Sequence, residues 1–252
     1  MVGSIENEQQ KNMKRILEYC REHSLSQEYT EIRTFLTNNP IIDYITLEDF
    51  KMNFERELAN LVEACYEKMD INNDIEICSY CGWTLEMKKG ELTCTSLCKQ
   101  LGDFTDTKRL KYDGSAYYRL KKGIQRFVLL PGKAELKLFD KLNKRYKNAE
   151  VTLYPNIDKF DISVKKGDIV FHLDMKDYTH PQLLADYFYS QDIKKYVENE
   201  RTIVVIPNYR ERLKPGYVKR FNARIQELGQ QIPFEVMLER ECIKKMDRML
   251  MI

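Results

Sequence analysis

The sequence predicts an α/β (α+β) fold, in which a mixed β-sheet flanked by helices follows a helical region and a short insert with four cysteines. Three observations support this prediction. Apolar residues recur at helical spacing through residues 1–70, four cysteines crowd into residues 78–98, and short apolar strands alternate with helices from about residue 116 onward. We therefore expect three parts: a helical module at 1–70, a cysteine segment at 71–105 and a third domain at 106–252.

Two long helices are predicted in the first part. Apolar residues fall at helical spacing in Glu6–His23 and again in Glu48–Met69. Asn38-Asn39-Pro40 interrupts the pattern between them, and Thr46 can serve as the N-cap of the second helix. This region has no catalytic pattern, so we expect it to be a packing module.

The cysteine segment has the spacing of a metal site. Cys78 and Cys81 form one close pair, and Cys94 and Cys98 form another after twelve intervening residues. Two such pairs, each on a turn and joined by a small hairpin, offer four thiolates to a tetrahedral zinc ion with bonds of about 2.3 Å. The segment thus predicts a zinc-ribbon-like insert with a structural zinc, since four protein ligands leave no position for a reacting water. An iron–sulfur cluster and chance spacing stay open as alternatives.

The third domain reads as strands and helices in an order typical of a mixed sheet. A helix at Ala134–Tyr146 precedes a strand at Val151–Tyr154 and a hairpin of Phe160–Val164 with Ile169–Met175. The remaining predicted ranges are a helix at Pro181–Tyr189, a strand at Thr202–Ile206, a helix at Gly216–Leu228, a strand at Phe234–Leu238 and a helix at Glu239–Leu250.

The pairing within this hairpin depends on its turn. A two-residue turn at Lys166-Gly167 predicts that Phe160 pairs with Leu173 and Asp161 with His172. Phe160 is then expected on the apolar face of the hairpin.

The other face of the hairpin carries Asp161, Asp174 and Lys176. The two aspartates are expected diagonally across from each other, with about 7–8 Å between backbones, close enough to share one ion. Carboxylate oxygens favour magnesium or manganese over zinc. Such an ion polarises a phosphoryl oxygen, and a lysine ammonium stabilises the negative charge that develops on the phosphate. The pattern therefore predicts metal-dependent phosphodiester cleavage, with an ordinary strand pair and a solvated polar face as the plainer alternative.

Glu135 adds a third acid to this set. Its helical neighbours Leu138, Phe139 and Leu142 are apolar, so it lies on the buried stripe of the predicted helix. A carboxylate there is unfavourable unless it reaches a metal or a hydrogen-bond partner. We expect Glu135 to complete the catalytic set, and the alternative is an outward-leaning glutamate favoured by the helix dipole.

Two basic stretches with interleaved aromatic residues point to nucleic acid as a partner. Residues 108–126 contain seven basic side chains against one acid, and residues 210–224 contain six against one. The side chains expected to contact phosphates are Arg119, Lys121, Lys122, Arg126, Lys219 and Arg220. A solvated face explains either stretch equally well, and phosphate contacts do not distinguish DNA from RNA.

Several motifs taken together resemble a known family. They are Glu135, Leu153-Tyr-Pro with Asp158 and Phe160-Asp161, Leu173-Asp174-Met-Lys176-Asp177-Tyr178, and His180-Pro181-Gln-Leu-Leu-Ala185, with the cysteine cluster and Tyr29-Thr-Glu-Ile-Arg33 upstream. They are similar to the restriction-endonuclease-like proteins associated with prokaryotic pPIWI-RE systems, within the PD-(D/E)xK superfamily. The resemblance implies a restriction-endonuclease-like fold and a nuclease that works beside a Piwi-like protein and a helicase against invading DNA. Asp174 stands where glutamate is commoner in the superfamily, and Asp158 is the second choice after Asp161 for the preceding position.

Other features bear on the remaining classes of protein. The apolar runs are too short to span a bilayer, and the polar N-terminus is not typical of a signal or transit peptide, so we expect a cytoplasmic protein. The sequence has no glycine-rich phosphate loop of the Walker type, so any ATP hydrolysis is expected of a partner. The rival functions are a catalytically silent, zinc-bearing adaptor for nucleic acid or protein, and an RNA nuclease.

Overall fold

The computed structural model describes residues 2–102, 108–190, 193–198 and 201–250, with side chains from residue 11 onward. The chain forms two compact units, Met1–Lys133 and Ala134–Ile252. The division into three parts remains a prediction, and its expected boundary between residues 105 and 106 lies outside the described residues. Within the described ranges, no helix is long and apolar enough to cross a membrane.

The first unit combines helices with small antiparallel sheets. Its helices are α1 (Val2–Glu22), α2 (Ser26–Asn38), α3 (Tyr44–Lys51), α4 (Arg56–Glu63), α5 (Ser96–Leu101) and α6 (Lys122–Ile124). Its strands are β1 (Ile41–Asp43), β2 (Tyr66–Lys68), β3 (Ile75–Ile77), β4 (Glu86–Lys88), β5 (Glu91–Thr93), β6 (Lys108–Leu110) and β7 (Tyr117–Leu120). β7 lies between β1 and β2, β3 pairs with β6, and β4 pairs with β5 as the hairpin expected between the cysteine pairs.

The single long helix predicted at Glu48–Met69 is wrong, and two short helices and a strand replace it. Asp43 caps α3, because its side chain accepts a hydrogen bond of 2.8 Å from the amide of Thr46, the residue expected as the cap. The Asn53 side-chain amide then donates to two carbonyls of the last turn of α3, at 3.2 and 3.0 Å. These bonds satisfy backbone groups at the helix end, so the chain leaves the helix there.

The long helix α7 (Leu130–Arg145) begins earlier than the predicted Ala134 and follows a π-helical turn at Gln125–Leu129. Gly132 lies in its first turn and allows a close approach. A Cβ atom at this position would lie 2.4 Å from the Thr37 hydroxyl oxygen, so only glycine fits without a shift of the neighbouring side chain.

The second unit is built on a mixed sheet of five strands, β8 (Glu150–Leu153), β9 (Ile162–Lys166), β10 (Ile169–Met175), β11 (Thr202–Ile206) and β12 (Glu235–Leu238). Their order is β12-β11-β10-β9-β8, with β8, β9 and β10 antiparallel and β10, β11 and β12 parallel. Its further helices are α8 (Pro155–Asp158), α9 (Pro181–Ser190), α10 (Lys194–Val197), α11 (Asn208–Leu213), α12 (Tyr217–Glu227) and α13 (Glu239–Leu250). This arrangement confirms the predicted mixed sheet with flanking helices.

An aromatic core joins the sheet to three of these helices. Phe188 of α9, Tyr196 of α10 and Phe221 of α12 pack with Val204 of β11 and with Phe160, and all five side chains are buried. Burial of this apolar area is the main stabilising contribution to the unit, at about 25 cal/mol per Å². The core thereby fixes α10 over the sheet.

A second pair of helices is joined by ion pairs. Arg145 of α7 binds Asp247 of α13 at 2.6 Å, and Lys141 binds Glu239 at 2.9 Å. Helix α13 in turn packs against β11 and β12. The C-terminal helix is therefore held both by the sheet and by α7.

The hairpin β9–β10 has a different register from the predicted one. The partner of His172 is Ser163 and not Asp161. The turn falls at Gly167-Asp168, where Gly167 has a φ of 57°, a conformation that glycine adopts without strain. Because the shift is two residues, most side chains keep their predicted faces.

Phe160 is the exception. It precedes β9, and its predicted partner Leu173 pairs with Ile162 instead. The Phe160 ring stacks on His172 with 4.6 Å between centroids. Phe160 therefore lies on the face that carries the polar residues, and its expected place on the apolar face is wrong.

Candidate active site and cysteine metal site

The end of β10 and the segment before β9 bring two carboxylates and an ammonium group together. Asp174 lies in β10, and Lys176 follows the strand, where its amide donates to the Val205 carbonyl of β11 at 3.0 Å. Asp161 precedes β9, and its Oδ2 accepts a hydrogen bond of 2.6 Å from the Met175 amide. This bond fixes the Asp161 side chain beside the strand that carries Asp174.

Asp174 is held by three side chains. Its Oδ2 lies 2.7 Å from the Lys176 ammonium and accepts a hydrogen bond from the Tyr196 hydroxyl, and its Oδ1 lies 3.3 Å from the Lys195 ammonium. Burial alone would raise the pKa of Asp174, but the two ammonium charges and the hydrogen bonds outweigh burial and lower it. Asp174 is therefore ionised, which is the state that a metal ligand requires.

Asp161 has the opposite electrostatic balance. Burial raises its pKa, and the neighbouring Glu135 and Asp174 carboxylates raise it further, against the opposing charge of Lys176. The negative charge of this pocket is thus only partly compensated by the protein. A bound cation would relieve that repulsion.

Glu135 is turned inward from α7. Its side chain is buried, with 3% of the residue exposed, and it accepts a hydrogen bond of 2.8 Å from the Tyr154 hydroxyl. Its charge raises the pKa of Asp161, so it lies within electrostatic reach of the pair on the hairpin. The outward-leaning alternative is wrong.

The backbone just before Asp161 is strained. Tyr154, Asn156, Ile157 and Asp158 have positive φ values between 50° and 64°, in the left-handed region that residues with a Cβ avoid. Such strain persists where the surrounding structure over-determines the conformation, and it clusters at functional sites. Here it belongs to the segment that delivers both Asp161 and the tyrosine hydroxyl bound to the third acid.

Comparison with known proteins bears on this region. Residues 132–251 match the model of the family described as REase associating with pPIWI_RE. The predicted resemblance is confirmed over these residues, and the cysteine cluster and Tyr29-Thr-Glu-Ile-Arg33 lie outside the match. The matched region contains all four predicted catalytic residues and supports a nuclease-like role in defence for this restriction-endonuclease-like domain. Neither a curated protein nor a solved structure gives a significant match to the chain.

This restriction-endonuclease-like domain contains two site residues that sequence analysis missed. Lys195 and Tyr196, both in α10, contact Asp174 from about twenty positions further along the chain. The sequence marks them only as neighbours in the short segment Lys194-Lys195-Tyr196, and such a segment fits many other roles. The contact depends on the connection between β10 and β11, which no local periodicity reveals.

The four cysteines of the first unit form a candidate metal site. The Sγ atoms of Cys78, Cys81, Cys94 and Cys98 lie within 4.8 Å of one another, and those of Cys81 and Cys94 are 3.7 Å apart. Sulfurs around a tetrahedral ion with bonds of about 2.3 Å are separated by about 3.8 Å. The cluster can therefore hold a metal ion. In the described part of the chain, no other group of three or more His, Cys, Asp or Glu side chains has its ligand atoms this close together. The carboxylates around Asp174 are therefore farther apart than the four thiols.

Two side chains donate hydrogen bonds to these sulfurs. The Gln125 amide lies 3.3 Å from Cys94 Sγ, and the Thr95 hydroxyl lies 3.0 Å from Cys98 Sγ. Gln125 is buried in the π-helical turn, and sequence analysis gave it no role. Donors of this kind stabilise negative charge on thiolates and orient them toward a metal.

Two of the predicted phosphate contacts in the first basic stretch are paired with acids of their own unit. Arg119 donates to Glu67 at 2.7 Å and lies over the Trp83 ring, 4.7 Å from its centroid. Lys122 pairs with Glu86 at 3.1 Å. Both cations therefore have structural partners, and phosphate binding by this stretch stays a prediction.

The second basic stretch is divided between buried and exposed cations. Arg210 is buried, binds Asp177 at 2.6 Å, and cannot belong to a surface patch. Of the predicted phosphate contacts, Arg126, Lys219 and Arg220 are exposed, and Arg119, Lys121 and Lys122 are half-buried. Lys219 and Arg220 on α12 are thus the accessible pair of the second unit.

Proposed function

We propose that the protein is a metal-dependent endonuclease that hydrolyses DNA phosphodiester bonds in the cytoplasm, in prokaryotic defence against invading DNA. The observation that supports this most is the burial of Glu135, Asp161 and Asp174 in the family-matched domain, with the half-buried Lys176 2.7 Å from Asp174. Clustered carboxylates repel one another and destabilise a metal-free protein. Their presence is explained if they serve chemistry, because perturbed carboxylates concentrate at functional sites.

Magnesium or manganese fits the side chains of this pocket. Asp161 and Asp174 would hold the ion with Glu135 nearby, and hard carboxylate oxygens are the donors these ions prefer. When bound, the ion supplies a Lewis acid that polarises the phosphoryl oxygen and activates water. The raised pKa of Asp161 agrees with a site whose charge is balanced once a cation is present.

Lys176 supplies the positive charge for the reacting phosphate. Burial would lower its pKa, but Asp174 and Asp161 raise it, so the ammonium is held charged. Its position is fixed by the 2.7 Å contact with Asp174 and by the backbone bond to β11. A fixed charge stabilises developing negative charge without reorganising at the moment of reaction.

The cysteine cluster and the partners complete the proposal. The four thiolates would hold a structural zinc that allows the short insert around them to fold. The family description associates the matched domain with pPIWI-RE, and we propose a Piwi-like protein and a helicase as partners of this chain. ATP hydrolysis would then belong to the helicase.

The test is cleavage of plasmid, single-stranded DNA and RNA with magnesium, with manganese, or with a chelator. We expect the wild type to cleave DNA only with metal and Lys176→Met to lose cleavage, because the reacting phosphate loses its ammonium. Lys165→Met is the matched control, since Lys165 is exposed in β9 of the same sheet.

The outcomes separate the rival functions. Cleavage of RNA alone would replace the DNA assignment by an RNA nuclease. Binding of nucleic acid without cleavage of any substrate in the presence of metal would favour the silent adaptor.

A further inference from the structure

We propose that, in the metal-free protein, the Lys195 ammonium occupies the place at Asp174 that a divalent cation takes, so that Lys195 competes with the cation for this carboxylate. The inference rests on the proposed function, because it concerns the same pocket. It gives Lys195 a role as a positioning residue that controls metal loading.

The two oxygens of Asp174 are not equally engaged. Oδ2 receives both the Lys176 ammonium at 2.7 Å and the Tyr196 hydroxyl. Among the described side chains, Oδ1 receives the Lys195 ammonium, at 3.3 Å. The carboxylate side chain is 4% exposed. A cation that reaches Asp174 therefore meets either two donors on Oδ2 or Lys195 on Oδ1.

Of the two lysines that contact Asp174, Lys195 is the one whose ammonium group can move away from the carboxylate. Its contact with Asp174 is longer than that of Lys176, and its side chain is 34% exposed, against 18% for Lys176. Lys176 is bonded through its backbone to β11, whereas Lys195 lies on the four-residue helix α10. A long lysine stem can move its ammonium into water while its carbons stay packed.

The resting place of the Lys195 ammonium has further attractive groups. The Lys159 carbonyl accepts a hydrogen bond from it at 3.3 Å. The rings of Phe160 and Tyr196 lie 5.5 and 4.8 Å from it, within the range of cation–π attraction. These groups hold the ammonium beside Asp174 as long as no stronger cation competes.

The formal charges favour the exchange. Glu135, Asp161 and Asp174 carry three negative charges when ionised, and Lys176 with one divalent cation balances them. A second ammonium in the same pocket is then in excess, and like charges at short distance repel strongly in a buried site. Metal binding should therefore expel Lys195 and leave Lys176 in place.

The experiment is a titration of the chelator-treated protein with Mn²⁺, followed by electron paramagnetic resonance of the free ion. The site is defined as the binding that Asp174→Asn removes, which separates it from any ion at the cysteines. We expect Lys195→Met to bind Mn²⁺ about two- to fivefold more tightly than the wild type, the size of one partly exposed ion pair. Methionine keeps the packing of the stem, and Lys195→Gln is a second variant without the charge.

Two controls and two outcomes make the test decisive. Lys194→Met, on the exposed side of the same helix, and Lys195→Arg, which keeps the charge, should bind Mn²⁺ no more tightly than the wild type. Unchanged or weaker Mn²⁺ binding by Lys195→Met and Lys195→Gln, with the wild type binding at Asp174, overturns the competition and leaves the proposed nuclease intact. If the wild type binds no Mn²⁺ that depends on Asp174, the metal site itself is wrong and both proposals fall.

Discussion

Asp161 and Asp174 lie in the same buried pocket, yet their pKa values shift in opposite directions. Burial raises the pKa of both carboxyls. Lys176 and Lys195 reverse the effect at Asp174, whereas Glu135 and Asp174 add to it at Asp161. The same substitution should therefore have different consequences for stability at the two positions.

Asp161→Asn and Asp174→Asn should both abolish cleavage, but they should differ in their effect on the stability of the fold. Without metal, Asp161→Asn removes a charge that burial and its neighbours disfavour, and asparagine can still accept the Met175 amide, so the melting temperature stays or rises. Asp174→Asn leaves the half-buried Lys176 without its closest anion and should lower the free energy of unfolding by about 3 kcal/mol. Thermal and urea unfolding in chelator measure both effects. A drop of similar size for Asp161→Asn would show that Asp161 is a structural residue.

The buried ion pair between Arg210 and Asp177 should contribute strongly to the stability of the second unit. Arg210 donates to both the carboxylate and the backbone carbonyl of Asp177, at 2.6 and 3.0 Å, just after β10. Removing one partner leaves an uncompensated buried charge, so Arg210→Ala should cost about 3–5 kcal/mol in urea unfolding. Arg212→Ala, exposed on the same helix, should stay within about 0.5 kcal/mol of the wild type.

A double variant tests the cause of that loss. If the charge pair is responsible, Arg210→Ala with Asp177→Ala should lose less than the two single changes added together. Strict additivity would contradict the assignment.

The cysteine cluster predicts about one zinc per purified chain. Cys98→Ser should lose the zinc, because three thiolates hold the ion less tightly, whereas Cys20→Ala, outside the cluster, should keep it. Gln125→Leu should keep one zinc but lower its affinity by about tenfold, since it removes the donor to Cys94. Metal analysis and competition with a chelator measure these effects. A folded protein that contains iron or no metal would contradict the zinc assignment.

Much of the second unit follows from its sequence because its elements are locally encoded. Thr202–Ile206 is uniformly apolar after its first residue and forms a buried central strand, and the Ile169–Met175 strand has its predicted bounds. The turn between β9 and β10 could not be placed, because Lys166, Gly167 and Asp168 all suit a turn. The register moved by two residues, so most side chains of the hairpin keep their predicted faces despite that error.

The parts that sequence analysis missed depend on contacts between distant residues or on caps. The end of α3 is set by Asn53 side-chain hydrogen bonds, which apolar periodicity does not show. Helix α2 was not predicted, although Tyr29, Ile32 and Leu36 follow a helical spacing and are buried. Lys195 reaches Asp174 only because the aromatic core places α10 over the sheet.

The ion pair between α7 and α13 predicts an acid-dependent contribution to stability. Hydrogen bonds from Arg145, at 2.7 and 2.6 Å, are the largest cause that lowers the pKa of Asp247, and the Tyr146 hydroxyl adds a third at 2.9 Å. A carboxyl group whose pKa is lower in the folded state stabilises the fold at pH values above its unfolded pKa of about 3.9. This stabilisation is lost as the pH falls through the lower pKa of the folded state. Asp247→Asn should therefore melt below the wild type at pH 7, with a difference that shrinks toward pH 3. Asp140→Asn, exposed on α7, should show no such trend.

Lys219 and Arg220 offer the cleanest test of nucleic-acid binding. Reversal of charge at Arg119 would also break its contacts with Glu67 and Trp83, so a loss of binding there could reflect misfolding. Lys219 and Arg220 are exposed neighbours on α12, and their replacement by glutamine leaves the buried face of the helix unchanged. If both contact phosphates, the slope of log affinity against log salt on duplex DNA should fall in magnitude by about 1.8, at about 0.9 for each contact.

Fluorescence anisotropy in chelator measures this slope without cleavage. Arg224→Gln is the matched control, because Arg224 lies on the same helix but is paired with Asp186 at 2.9 Å and Glu227 at 3.2 Å. Its slope should stay near that of the wild type. Equal slopes for the double variant and the wild type would make this face of α12 a solvated surface, and DNA would then have to enter the pocket around Asp174 without help from these two cations.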